Sequence, residues 1–166
     1  MVKKIEPETE KTDFKPSEVD YKIVNILMQN GRATLKDISE KVGLSIDAIK
    51  DHIVKMKNAG AIEKFTVHLD PDFFGLPLSS QVYVKLKNVS EDALDKFLKY
   101  LKKDPQIITL ISVLGSFDMF IVMMAKSPVE LEKKKNKIRE DFKELIANWD
   151  ETIVSKIHKL EEYEFK

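Results

Sequence analysis

Three short helices are predicted after residue 16, because apolar residues recur there three or four positions apart. A hydroxyl residue precedes each helix, at Ser17, Thr34 and Ser45, and can cap its first turn. An aspartate follows Ser17 and Thr34 by three positions, which is the spacing of a capping box. We therefore predict helices that begin directly after these three residues.

The ends of these helices are marked by residues that tolerate a left-handed backbone. Asn30-Gly31 is predicted to end the first helix in this conformation, and Gly60 to close the third. Gly43 is predicted to make the sharp turn between the second and third helices. Helices joined by so short a turn predict a helix-turn-helix, although a three-helix bundle that only packs or dimerises has the same pattern.

Residues 62–69 alternate apolar and polar side chains, which predicts a strand or a wing after the third helix. Pro71, Gly75 and Pro77 then interrupt the pattern and indicate a hinge. The hinge separates the helical part of the chain from a second half with a different rhythm.

The second half of the chain alternates strands with helices. Strands are predicted at residues 81–87, 107–114, 119–125 and 152–160. One helix is predicted after Ser90, and a second from Pro128 to Ile146. The order strand, helix, strand, strand, helix, strand is that of a ferredoxin-like split βαβ fold.

The predicted fold class is α+β, with a winged-helix-like helix-turn-helix domain before a ferredoxin-like βαββαβ domain. The predicted organisation is a flexible tail at residues 1–16, a helix-turn-helix domain at 17–62, a hinge strand with its linker at 63–78, and the βαββαβ domain at 79–166.

Composition narrows the function classes. Lys and Arg number 28, as do Asp and Glu, so no overall positive charge indicates nucleic-acid binding and a local basic patch would be needed. The chain has no cysteine, which excludes disulfides and thiolate sites. No apolar run approaches membrane-spanning length, and the first residues lack the apolar core of a signal peptide. These features predict a cytoplasmic protein with no membrane partner.

The sequence offers little support for catalysis. His52, His68 and His158 lie on three separate predicted elements, without the spacing of a metal site. The methionines at 119, 123 and 124 are more typical of core filling than of a cofactor site. No cofactor, metal site or enzyme activity is predicted.

Three stretches together resemble the Lrp/AsnC family of transcription regulators. They are GRATLKDISEKVGLS, then AGAIEKFTVHLDPDFFG, and then GSFD between two apolar strands. The resemblance covers roughly residues 17–160. It implies a helix-turn-helix that binds palindromic duplex DNA and a C-terminal RAM domain that binds a free amino acid. It also implies homodimers that can assemble into octamers.

The resemblance implies DNA-binding roles for positions on the second and third helices. These positions are Arg32, Thr34, Lys36, Ser45, Asp47, Ala48, Lys50, His52 and Lys55. The chain departs from the family at Asp51 and His52, where arginine is common. From Ser17 to Leu69 there are eight basic and seven acidic residues, a net charge of +1. We therefore expect weak DNA affinity per domain, with two or more domains acting together.

The GSFD turn matches the segment that closes the effector site in the family. It implies effector-binding roles for Gly115, Ser116, Phe117 and Asp118, with Thr152 at the entry to the last strand. A plain hairpin turn also favours Gly, Ser and Asp, so that interpretation remains open.

Two other functions are compatible with the pattern. A ligand-sensing or assembly protein with weak or no DNA binding would explain the acidic third helix. A sirohaem-decarboxylase-like enzyme would share the architecture, but its hairpin would carry His, Tyr and Arg where this chain has GSFDMF.

Overall fold

The computed structural model describes residues 13–160 and 163–166, so most of the predicted tail at 1–16 lies outside the described residues. The chain divides into two compact units. One unit, here called the head, takes the chain up to His68 together with the residues from Lys159 onward. The other, here called the C-terminal domain, is Leu69–His158.

Three helices build the head, as the apolar spacing predicts. They are α1 (Glu18–Gln29), α2 (Leu35–Val42) and α3 (Ile46–Asn58). Capping boxes at Ser17 and Thr34 are confirmed, and the Ser45 hydroxyl caps α3. Their apolar faces meet in one core, whose fully buried members are Ile23, Ile38, Ile49 and Met56. This core fixes α3 against α1 and α2.

The three helices end where predicted, and two of the ends have the predicted left-handed residue. Gly43 caps α2 with φ +80°, and Gly60 follows α3 with φ +73°. Asn30 does end α1, but the left-handed conformation predicted for it is wrong, because its backbone is extended, with φ −144°. Its side chain instead accepts a hydrogen bond from the Arg32 N–H at 3.0 Å, which turns the chain towards α2.

The prediction of a strand at residues 62–69 is wrong for a single copy of the chain. Residues 63–70 have neither helix nor strand structure, and Phe65, Val67 and Leu69 are all more than half exposed. Alternation yields a strand only where a neighbouring strand supplies hydrogen bonds, and no described strand of this chain pairs with the segment.

The C-terminal domain has the predicted βαββαβ order. Its elements are β1 (Leu78–Leu86), α4 (Glu91–Lys102), β2 (Ile107–Ser112), β3 (Met119–Ala125), α5 (Pro128–Asp141) and β4 (Ile146–Ile153). The strands lie in the order β2-β3-β1-β4, and every neighbouring pair is antiparallel. This topology confirms the ferredoxin-like fold.

One face of the sheet packs against α4 and α5. Val82 and Val84 of β1 and Ile121 of β3 are fully buried there, together with Phe97 and Leu101 of α4. The alternate residues of the strands point to the opposite face, here called the outer face. Of the two faces, the described helices α4 and α5 cover the inner one.

The last strand lies earlier in the chain than the predicted 152–160, because α5 ends at Asp141 and not at Ile146. Glu151 lies on the side of β4 that faces the helices. Its carboxylate accepts a hydrogen bond from the buried Ser80 hydroxyl at 2.8 Å and forms an ion pair with Lys135 at 3.3 Å. A charged residue at an inward position interrupts the alternation of apolar and polar residues by which the strand would be recognised, and its charge is tolerated because it is paired.

Across the described residues, none of the helices has the length and apolar character needed to cross a membrane.

Candidate nucleic-acid interface and effector site

Three of the nine predicted DNA-binding residues lie on the exposed side of α3. Asp47, Lys50 and Lys55 are exposed, and Ala48 is half-buried. The Ser45 hydroxyl accepts a hydrogen bond from the Ala48 N–H at 3.2 Å, so it holds the first turn in shape. Within the described part of the chain, Lys50 forms no ion pair. Its ammonium group is free to meet a phosphate.

His52 points back into the head. Its Nδ1 lies 2.7 Å from Oδ1 of Asp20, a carboxylate on α1 that is only 3% exposed. The other oxygen of Asp20 accepts from the Ser17 N–H and from the Ser17 hydroxyl, both at 2.7 Å. His52 thus ties α3 to α1 through one ring nitrogen, which leaves only Nε2 for a contact outside the head.

The same bonds set the charge of Asp20. Burial by itself raises the pKa of this carboxyl, but the Ser17 hydrogen bonds and His52 outweigh it, so the pKa lies below its usual value of 3.8. Asp20 therefore remains ionised while it is paired. Sequence reasoning assigned Asp20 only a capping role, and nothing in its spacing indicated the contact with His52, which is 32 residues away.

Asp20→Asn should lower the free energy of unfolding by about 2 kcal/mol near neutral pH, because a charge-assisted bond is replaced by a neutral one. Since the folded pKa is depressed, the stabilisation is present above pH 3.8 and is lost as the pH falls through the folded value. Urea unfolding from pH 7 to pH 3 measures this difference. A difference that stays constant down to pH 3 would contradict the assignment.

The remaining candidates differ in the contacts that their side chains make. Nζ of Lys55 lies 5.5 Å from the centre of the Phe14 ring, a cation–π contact that holds the lysine against the chain before α1. Lys36 lies within 3.9 Å of Glu40 on the surface of α2. The Thr34 hydroxyl donates to Asp37 at 2.7 Å. Arg32 is exposed beside them, in the turn that enters α2.

The GSFD turn lies between β2 and β3. Gly115 has φ +148°, a conformation that other residues rarely adopt, and Ser116 is exposed. The Asp118 carboxylate accepts hydrogen bonds from Nζ of Lys85 at 3.1 Å and from the Leu86 N–H at 2.8 Å. Its charge is thus already used to join the turn to β1.

Thr152 lies away from this turn. It pairs with Gln81 on one side of β1, whereas Met119, next to Asp118, pairs with Val84 on the other side. Strand geometry separates Thr152 from Asp118 by roughly 15 Å. One copy of the chain therefore does not bring the five predicted effector residues together.

An aromatic cluster occupies the outer face of the sheet beside the turn. The Tyr83 ring lies 5.1 Å from that of Phe120 and 5.5 Å from that of Phe117. Ile111, whose partner across the β2–β3 pair is Phe120, is 48% exposed. The described helices of the C-terminal domain, α4 and α5, pack on the opposite face of the sheet.

Two comparisons of the sequence with known proteins agree. Residues 16–63 match a sequence model described as winged helix-turn-helix DNA-binding. The chain is 34% identical over 116 residues to the HTH-type transcriptional regulator FL11 of Pyrococcus horikoshii, covering 69% of this chain and 74% of that protein.

Two solved structures have the same fold. A Neisseria meningitidis transcriptional regulator in complex with L-Met superposes with a TM-score of 0.81 at 20% identity, covering 88% of this chain and 94% of that one. An AsnC family transcriptional regulator from Agrobacterium tumefaciens gives 0.79 at 19% identity, covering 87% and 94%. At these identities the structures establish the fold alone.

Proposed function

The chain belongs to the Lrp/AsnC family of DNA-binding transcription regulators, and from that premise we propose that it binds a palindromic operator as a homodimer. The observation that carries the proposal is Lys50, which is exposed on the first half of α3 and forms no ion pair with another described residue. In a helix-turn-helix this part of the second motif helix enters the major groove. Two heads related by a two-fold axis would each read one half-site.

The affinity of one head should be modest. Residues 17–69 carry a net charge of +1, and Asp47 and Asp51 lie exposed on the helix that faces the bases. Carboxylates repel phosphates but can accept a hydrogen bond from the cytosine amino group. Two heads on one assembly compensate, because binding of the first raises the effective concentration of the second.

The outer face of the C-terminal sheet is the surface we assign to the homodimer. Tyr83, Phe117 and Phe120 form an aromatic cluster there, and aromatic residues are enriched at the centres of protein interfaces. The exposed apolar segment from Phe65 to Phe74 adds surface that a second copy could cover. Dimers of this kind could assemble further into octamers.

The effector we propose is a free amino acid, since the Neisseria relative of this fold is a complex with L-Met. Gly115 allows close approach of the ligand to the backbone, and Ser116 offers an exposed hydroxyl. Because Thr152 lies far from the turn in one chain, a complete site would combine residues from different copies. Effector binding would then change the assembly and, through it, DNA affinity.

A thermal-shift screen of the common amino acids tests the effector proposal. A ligand at 100 times its Kd should stabilise the protein by about 2.7 kcal/mol, seen as a rise in Tm. Thr152→Val should abolish this rise, because it removes the hydroxyl at constant shape. Thr109→Val, the same change on β2, should leave it intact. No shift with any amino acid would count against the effector assignment.

Regulation by binding, without catalysis, is the activity we infer. The named relatives are regulators, and such a protein works in the cytoplasm beside its DNA. The direct test is nuclease protection of duplex DNA from the protein's own promoter region. Two protected half-sites about one helical turn apart, or a multiple of that distance, are expected.

A further inference from the structure

One stripe on the outward side of α1 is uncharged, although Glu18 and Lys22 are exposed on the same side of the helix. Tyr21, Asn25 and Met28 lie four and three positions apart, so they form a single stripe. None carries a charge, whereas the solvent side of an ordinary surface helix is charged or strongly polar. Asparagine is also a poor residue for the middle of a helix. This stripe, here called the α1 stripe, therefore has the features of a contact surface.

The C-terminal residues of the chain lie on the α1 stripe. Nδ2 of Asn25 donates to the Phe165 carbonyl oxygen at 2.7 Å, and the Phe165 N–H donates to Oδ1 of Asn25 at 3.0 Å. One side-chain amide thus pairs with both polar backbone groups of one residue, as a neighbouring strand would. The two bonds fix the direction and the position of the peptide along the helix.

Aromatic rings complete the contact. The Phe165 ring stacks on Tyr21, with 6.2 Å between the ring centres and 17° between the planes. The Tyr163 ring also stacks on the Phe165 ring, with 6.1 Å between the ring centres. Tyr163 and Phe165 are separated by one residue, so an extended peptide presents both on one side.

We propose that the α1 stripe is a docking surface for the chain's own C-terminal segment, and that docking limits the half-site spacings the dimer accepts. The second part rests on the proposed function. The start of β1 and the end of β4 are neighbours, since Ser80 pairs with Ile153 and the Val154 N–H donates to the Ser79 carbonyl at 2.9 Å. The head is therefore joined to the sheet both before β1 and after β4. A second connection leaves the head less freedom than a single linker does.

Carboxypeptidase digestion of the full chain tests the docking, with the release of Phe165 followed by mass spectrometry. Asn25→Leu keeps the size of the side chain and removes both hydrogen bonds. It should speed the release of Phe165 on the order of tenfold, the effect expected from losing one to two net hydrogen bonds. Phe165→Ala, which removes the stacked ring without altering the helix, should speed release of residue 165 by a similar factor.

The matched control is Asn136→Leu, the same substitution at an exposed position of α5, where the amide donates a hydrogen bond to Glu132 at 3.2 Å. It should digest at the wild-type rate. Wild-type rates for both Asn25→Leu and Phe165→Ala would overturn the docking, whether or not the protein binds DNA.

A panel of operator duplexes with altered half-site spacing tests the second part. Wild type should lose at least tenfold in affinity when the spacing changes by two or three base pairs, because each base pair rotates the half-site by about 34°. Asn25→Leu should lose roughly threefold or less. Equal profiles for the two proteins would overturn the spacing role, whereas failure of wild type to bind any duplex would refute the proposed function and leave the digestion result standing.

Discussion

Lys50→Glu should weaken binding to the operator duplex by about 100-fold. A dimer uses this residue twice, so the change removes one phosphate contact per head and places a carboxylate beside the DNA at two points. Lys50 is the candidate on α3 with the freest charge, since Lys55 lies against Phe14 and His52 is bound to Asp20. Fluorescence anisotropy with labelled duplex measures the loss.

The control is Lys102→Glu, an exposed lysine in the last turn of α4 in the C-terminal domain. It changes the net charge equally and should leave the affinity within about threefold of wild type, because it lies outside the helix-turn-helix. An equal loss in both variants would show that overall charge, and not α3, controls binding. An unchanged Lys50→Glu would remove α3 as the DNA-reading helix.

Tyr83→Glu should convert the protein to a monomer at micromolar concentration. The substitution places a carboxylate in the centre of the aromatic cluster, beside Asp150, its partner across β1 and β4. In a two-fold interface the new charges appear twice and would be buried without partners. Light scattering coupled to size exclusion measures the mass. Operator affinity should fall by 100-fold or more, because the heads then bind separately.

Val129→Glu supplies the matched control, an equally apolar and even more exposed side chain on the first turn of α5. It should remain a dimer with wild-type affinity. A dimeric Tyr83→Glu protein would place the homodimer elsewhere, with the Phe65–Phe74 segment as the next surface to change.

Local signals in the sequence predicted most of the fold. Capping residues such as Ser17 and Thr34 fix helix starts through bonds within one turn, so both were correctly placed. The βαββαβ order followed from the periods of apolar residues. The misplaced last strand shows the limit, because the inward Glu151 is satisfied by Ser80 and Lys135, which are distant in sequence.

The candidate site was less predictable, because its geometry depends on contacts between distant residues. The spacing of α3 correctly placed Asp47, Lys50 and Lys55 on its exposed side. It could not predict that Asp20 holds His52, or that Lys85 and the Leu86 N–H take the charge of Asp118. The failed strand at 62–69 has a related cause, since a strand needs a partner and the described chain supplies none.

The central claim is that this chain binds duplex DNA through charged contacts from two heads. Its most direct test is to measure the affinity of the wild-type protein for its own promoter duplex at salt concentrations from about 50 to about 300 mM. A plot of log affinity against log salt should be a line with a slope of roughly −4, corresponding to about two phosphates per head. Lys50→Glu should reduce the steepness by about two units. A flat line, or no binding at the lowest salt, would contradict the account.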